Sequence, residues 1–316
     1  MNRLRYALLP LLGLASAVAA PVKLADIPAG SAWFAHLDVD AAVAGKTFAA
    51  LRDASKLPPD VTARMEEFTG KTGLDPKRDV HGLTVFGDGS ATGTTILVYH
   101  SGSSAKLREL LHAEKFAETE TLDGVVMMKI SGSKKNGDFL YVASDDNRPL
   151  VLADSGASVA KAVKALGGKG VTPAAEWSKS VAGRTSLLVL SANMAALPLD
   201  KAQSEQVKSA RSVTLVVSES GDLLDFSLKA TMVDAASAEK AAGVVKAVQA
   251  MALSSTPDPD QKNDATILLR SLKISTSGET LAVALPVTVS DLRRVMDVRV
   301  RSKTGNAATA GGVSKK

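Results

Sequence analysis

Two histidines and three aspartates in alternating positions are the residues of this sequence best suited to chemistry. His36, Asp38 and Asp40 are spaced two apart, and Asp79 and His81 repeat that spacing just ahead of another apolar run. Residues two apart in a β-strand lie on one face, so an imidazole and two carboxylates would converge there. These groups bind divalent metal ions and also serve as acids and bases. The candidate metal ligands are therefore His36, Asp38, Asp40 and His81.

The same residues also have a purely structural interpretation. Asp40 would cap the helix after the strand, Asp38 and His36 would face solvent or pair with Lys or Arg, and Asp79 would fix a loop. No nucleophile, base and orienting group can be assembled from motifs in a suitable context. We therefore predict no catalytic residue, no cofactor and a non-enzymatic protein, namely a binding, scaffold or interaction module of the cell envelope. The alternative is a metal-dependent or hydrolytic enzyme that uses His36, Asp38 and His81.

Fragments of the penicillin-binding and β-lactamase signature also occur. Residues 103–106 and 158–161 match S-x-x-K, residues 144–147 are one residue longer than S-D-N, and residues 71–73 and 303–305 match K-T-G. Their order is unsuitable, because one K-T-G precedes both S-x-x-K motifs and the other lies in the C-terminal tail. We expect these matches to arise by chance in a chain rich in Ser, Lys and Gly.

The two ends of the chain indicate export and a basic tail. Arg3 and Arg5 precede an apolar run that ends in a small-x-small pattern, so residues 1–19 are predicted to be a cleaved signal peptide. The chain has no cysteine, which excludes disulfides and a lipid-modified N-terminal cysteine. We expect a periplasmic or extracellular protein without a transmembrane segment after cleavage.

The net positive charge of the chain lies outside its body. Residues 20–298 carry 31 basic and 33 acidic residues, whereas residues 299–316 carry five basic residues and no acid. A nearly neutral body gives no reason to expect a nucleic-acid partner. Two kinds of partner remain open from the sequence, a protein and an anionic envelope surface contacted by the basic tail.

The elements that would position these residues follow one order twice. Strand, helix, hairpin, helix and hairpin occur in residues 20–172 and again in residues 173–298, and residues 299–316 form a polar tail predicted to be disordered. Helices that follow hairpins indicate an α+β fold with largely antiparallel sheets. The second copy contains the clearest amphipathic strand, residues 224–232, and then a helix with Ala238, Ala242, Val245 and Val248 on its predicted core face.

Two segments carry a resemblance to a known group of proteins. One runs from Ala25 through Asp-Ile-Pro to Trp33 and on to Ala41, and fits DIPAxxxWxxHxDxDA; the other runs from Thr72 to Gly82 and fits TGxDPxxDxHG. Together they resemble a family of uncharacterised exported bacterial proteins of similar length. The resemblance implies an exported, cysteine-free protein of mixed α/β content and brings no activity, cofactor or site residue.

Overall fold

The computed structural model describes residues 21–47, 49, 59–75, 77–90, 93–113, 117–131, 139–146, 148–169, 186–198, 208–254 and 264–294. The predicted signal peptide and basic tail lie outside these residues, as does most of the predicted joint between the two halves. The boundaries of the predicted domains therefore stay predictions.

Twelve strands form one continuous sheet in which every described pairing is antiparallel. From edge to edge the order is β11-β12-β10-β9-β8-β1-β2-β3-β7-β6-β5-β4. The strands are β1 Trp33–Asp38, β2 Val80–Gly87, β3 Thr94–His100, β4 Ala117–Leu122, β5 Val125–Ser131, β6 Phe139–Ala143, β7 Leu150–Ala153, β8 Leu188–Asn193, β9 Ala210–Ser220, β10 Leu223–Met232, β11 Lys273–Ser277 and β12 Thr280–Thr288.

The α-helices named below are α1 Val39–Ala44, α2 Pro59–Thr72, α3 Ala105–Ala113, α4 Gly156–Lys164, α5 Ala235–Ser254 and α6 Asp264–Ser271, and residues 46–47 and 289–294 are also helical. Polar side chains begin two of them as the sequence predicts. Ser155 Oγ accepts a hydrogen bond from the Ser158 amide at the start of α4, and Asp234 Oδ1 accepts one from the Ser237 amide at the start of α5. A predicted polar helix at 203–210 lies largely outside the described residues.

The sheet carries apolar packing on both faces. One core joins Phe34, Leu97 and Val151 to Val159 of α4. On the opposite face a second core forms beneath α1 and α3, and a third joins Ala230 and Leu281 to Ala238 and Ala242 of α5. The strand registers place α5 on the same face as α1 and α3. Residues opposite each other on neighbouring strands share a face of the sheet. One such row runs from β10 to β2 through Leu228, Leu215, Leu190, Ala35 and Val85.

These observations confirm the predicted α+β class and its antiparallel pairing. The two predicted halves share this one sheet, because β1 pairs with β8 along five residues, from Trp33 opposite Ala192 to Leu37 opposite Leu188. Each half would otherwise expose an edge strand of unpaired amide and carbonyl groups at this place. Pairing the two edges satisfies those groups and joins the halves into one sheet.

Candidate functional site

His36 is a buried residue of the first core. Its side chain lies on the face that carries Phe34, and its Nδ1 atom is 2.8 Å from Thr84 Oγ1 on β2. The ring also meets Tyr99 edge-on, with ring centres 6.2 Å apart. Tyr99 donates a hydrogen bond to Asp26 Oδ2 at 2.9 Å. Burial, followed by the negative charge of Asp26, raises the pKa of the Tyr99 hydroxyl above its usual range, so this group is a neutral donor.

Asp38 and Asp40 have different roles from those predicted. The cap of α1 is Asp38, whose Oδ1 accepts a hydrogen bond from the Ala41 amide at 2.8 Å, so the prediction that Asp40 caps this helix is wrong. Because Asp38 is the last residue of β1, its extended backbone is suited to the cap position. Asp40 instead lies in the first turn, where both carboxylate oxygens contact His81 Nδ1 at 3.0 and 3.1 Å.

Asp79 fixes the loop before β2, as the structural interpretation predicts. Its carboxylate accepts hydrogen bonds from the Asp75 amide and from Arg78 Nε, each at 2.8 Å. The Arg78 contact is the main cause that holds the pKa of Asp79 below its usual range, although burial opposes it. This carboxylate is therefore ionised and committed to structure.

The candidate ligands do not assemble into a metal site. His36 contacts Thr84 within the core on one face, whereas His81 contacts Asp40 at the start of α1. Among the residues that the structure describes, no group of three or more His, Asp or Glu side chains is arranged to hold a metal ion. The geometry thus brings together Asp40 and His81 and leaves His36 and Asp38 in separate environments.

Two fragments of the β-lactamase signature, residues 103–106 and 144–147, contact each other, and the contact caps a helix. Ser104 donates from its amide and its hydroxyl to Asp146 Oδ1, both at 2.8 Å, and Ser103 Oγ accepts from the Ala105 amide. The hydroxyl of Ser158 is paired with that of Ser155 in α4. The K-T-G of residues 71–73 ends helix α2 rather than lying on a strand. These contacts order the ends of helices and provide no base for a serine nucleophile.

A cleft of about 410 Å³ lies between the β4–β5 turn, the β6–β7 connection and helix α4. Its apolar wall includes Val125, Val151 and Leu166, and its rim carries Arg108 and Arg148. Arg108 is held by two hydrogen bonds to Asp146, which keep the pKa of that carboxyl well below its usual range. The volume of the cleft is within the range of small-molecule sites. The two arginines on its rim are, however, paired with Asp145 and Asp146 on the same rim.

The outer face of α5, like the cleft, is a feature that the sequence did not predict. Val244, Val248 and Met251 are exposed by 58%, 53% and 65%, and their spacing of four and three residues aligns them along one side of the helix. Gly243, Ala247 and Ala250 beside them are also exposed. We call Val244, Val248 and Met251 the apolar stripe. Monomeric proteins rarely leave apolar residues in continuous exposed patches unless these contact a partner.

The sequence predicts Val248 on the core face of this helix, and that prediction is wrong. The core face consists of Ala238 and Ala242, with Ala241, Val245 and Gln249 half-buried. From Ala241 to Leu253 the only polar side chains are Lys246 and Gln249. A helix that is apolar on nearly every side gives no periodicity from which to select the buried face. The informative signal was this low polarity, which is unusual for a helix on one side of a sheet.

Comparisons with known proteins give a distant likeness in fold. No protein-family model and no curated protein matches the chain. Similar solved structures include crystal forms III, I and IV of the Treponema protein TP0453, at 7%, 10% and 7% sequence identity and TM-scores of 0.45, 0.43 and 0.45. The matches cover 88% of this chain and 98%, 97% and 97% of those chains. The resemblance to uncharacterised exported proteins stays a prediction.

None of the described helices combines the length and the apolar character that crossing a bilayer requires.

Proposed function

We propose that this chain is an exported, non-enzymatic interaction module of the cell envelope that binds its partner through the outer face of α5. The observation that carries the proposal is the apolar stripe, which stays more than half exposed on a helix whose inner face is packed on the sheet. Water contact with three large apolar side chains is unfavourable, and a partner that covers them removes that cost. The sheet is the scaffold that holds this face in place.

The polar residues of the chain support a binding role over an enzymatic one. The best acid–base candidates are used for structure: Asp38 caps a helix, Asp79 holds a loop and His36 packs in a core. The Asp40–His81 contact is the remaining pair, and the described residues place no serine or threonine hydroxyl within hydrogen-bonding distance of His81. A hydrolytic reaction needs such a group or an activated water beside the base.

Export is part of this proposal and rests on the N-terminal sequence. A positively charged start, an apolar run and a small-x-small pattern in residues 1–19 are typical of a cleaved signal peptide. Fractionation followed by N-terminal sequencing tests it. We expect the protein outside the cytoplasm with Ala20 as its first residue, and recovery of full-length chain from the cytoplasm would contradict it.

We further propose that residues 20–172 and 173–298 are two related repeats. Strands β1–β2–β3 extend from the central pairing in one direction, and β8–β9–β10 extend from it in the other, in the same sequential order. An experimental structure tests this relation by superposition. A two-fold rotation should bring β1–β3 onto β8–β10 in register, and a fit that requires a shifted register would contradict the proposal.

Photo-crosslinking from one defined position tests the binding role. The chain has no cysteine, so Val248→Cys creates a unique attachment point for a thiol-reactive photo-crosslinker. Val126→Cys is the matched control, because Val126 is exposed by 63% on β5, near the opposite end of the sheet. In cells that export the protein, we expect adducts from position 248 and few from position 126. Equal yields from the two positions would contradict the proposed binding face.

A further inference from the structure

We propose that the occupant of the α5 outer face is an anionic membrane surface, on which the helix lies parallel to the bilayer. This inference rests on the proposed function, since it identifies the partner of the same face. The relevant observations are the size of the apolar stripe, the charges beside it and the composition of the chain that follows α5.

The outer face of α5 is smaller than a standard protein–protein interface. Twelve of the twenty residues of α5 are exposed, three of them large and apolar, whereas a standard interface uses roughly 20 to 30 residues on each side. A second copy of the chain packed helix to helix would supply the same number on its own side, so that interface would also fall short. A membrane interface has no such minimum size, because each apolar side chain that enters the headgroup boundary adds its own contribution.

The charges on the helix favour an anionic surface over a neutral one. Lys240 lies one turn before Val244 and therefore borders the apolar stripe, whereas Lys246, two residues after Val244, is exposed on another side of the helix. From Lys240 to Ser254 there is no acidic residue, and the exposed Glu239 just before them accepts a hydrogen bond from Thr276 Oγ1 on β11. Lysine stems cover apolar surface while their ammonium groups reach lipid phosphates. The five basic residues of the tail, from Arg299 to Lys316, carry charge of the same sign.

The chain that follows α5 is unsuited to cover the stripe. Residues 255–263 read Ser-Thr-Pro-Asp-Pro-Asp-Gln-Lys-Asn and contain no large aliphatic or aromatic side chain. The inner face of α5 is occupied by the sheet, and Gln249 Nε2 donates to the carbonyl of Leu269 in α6 at 2.6 Å. The helix is thus held on the sheet by one side and presents the apolar stripe on the other, from which these side chains can enter a membrane interface.

Vesicle flotation with the exported, processed chain tests the proposal. We expect the wild-type chain to float with vesicles that contain phosphatidylglycerol and to float several-fold less with pure phosphatidylcholine. The triple variant Val244→Gln, Val248→Gln, Met251→Gln should bind the anionic vesicles at least about tenfold more weakly, while Val126→Gln binds like the wild type. Because the three stripe residues are more than half exposed, melting temperature should confirm that the triple variant is folded.

Lysine variants test the contribution of positive charge to vesicle binding. Lys240→Gln should weaken flotation with anionic vesicles several-fold more than Lys246→Gln does, and neither should change the weak binding to phosphatidylcholine. Failure of the wild type to float, or equal flotation of the triple Gln variant, would overturn the membrane proposal. Light scattering that shows a dimer broken by the triple variant would overturn it too, since a second copy would then occupy the face. If flotation fails while crosslinking from position 248 stays site-specific, the binding role stands and only the lipid partner is wrong.

Discussion

His81 Nδ1 lies 3.0 Å from Oδ2 and 3.1 Å from Oδ1 of Asp40, and the Asp40 side chain is fully buried. This contact joins helix α1 to strand β2 at the point where β2 carries a register shift between Val80 and Gly82. A register shift of this kind changes the direction of a side chain, and at this shift the His81 ring lies against the buried carboxylate.

Removal of the His81 side chain should destabilise the fold. His81→Ala leaves the Asp40 carboxylate buried without its hydrogen bond, and we expect a loss of about 3 kcal/mol in the free energy of unfolding. His81→Gln should lose less, because the amide of Gln can donate to the carboxylate. Urea unfolding at neutral pH measures both. His112→Ala, at the exposed end of α3, is the control and should have no effect; equal midpoints for His81→Ala and His112→Ala would contradict the structural role.

Glu219 links the second half of the sheet to the first. Its carboxylate accepts hydrogen bonds from the amides of Lys46 at 2.5 Å and Thr47 at 3.2 Å, where a helical turn begins after Gly45. We expect Glu219→Ala to lower the free energy of unfolding by about 1 kcal/mol, as loss of a helix cap does.

Asp222 on the same hairpin provides the comparison for Glu219. It forms an ion pair with Lys46 Nζ at 2.7 Å, but both side chains are largely exposed. Exposed ion pairs contribute little because water and salt screen them, so Asp222→Ala should leave thermal stability unchanged. A larger effect from Asp222→Ala than from Glu219→Ala would show that charge, rather than capping, holds this contact.

The lowered pKa of Asp79 predicts that the folded protein loses stability in acid. Its pKa is lowered in the folded protein, chiefly by the hydrogen bond from Arg78. The stabilisation is therefore complete above the pKa of an unfolded aspartate, about 3.9, and is lost as pH falls through the folded value. Denaturation of the wild type and Asp79→Asn should differ at pH 7 and converge towards pH 3. Glu118→Gln, on the exposed edge strand β4, should follow the wild type throughout, and a difference for Asp79→Asn that persists unchanged at pH 3 would contradict this account.

Zinc addition tests the alternative of a metal-dependent enzyme. Because His36, Asp38 and His81 have separate partners in the described structure, we expect no heat of binding and no shift in melting temperature. A saturable heat that disappears in His81→Ala but not in His112→Ala would support the alternative.

Local features of the fold were readable from the sequence, and contacts between the halves were not. The alternation of residues 224–232 predicts strand β10, and the Asp123-Gly124 pair predicts the β4–β5 turn, where both residues have positive φ. The pairing of β1 with β8 has no local signal, because an edge strand and an interior strand have similar patterns. The cap of α1 was placed two residues late, since Asp38 and Asp40 are equally suited by residue type.

The candidate site was less predictable than the fold. The spacing of His36, Asp38 and Asp40 suggests convergence, but the strand ends at Asp38, so Asp40 belongs to a helix and turns to His81. The apolar stripe of α5 could not be separated from its core face, because apolar residues surround that helix. Only the packing of Ala238 and Ala242 on the sheet shows which side stays exposed.

A polarity-sensitive fluorophore on Val248→Cys tests the central claim most directly, because the cysteine-free chain allows a single label. Addition of anionic vesicles should shift its emission to shorter wavelength, as the label leaves water for the lipid boundary. The same label on Val126→Cys, which is similarly exposed, should keep its emission unchanged. An unchanged spectrum at position 248, or equal shifts at both positions, would contradict the assignment of α5 as the membrane-binding face.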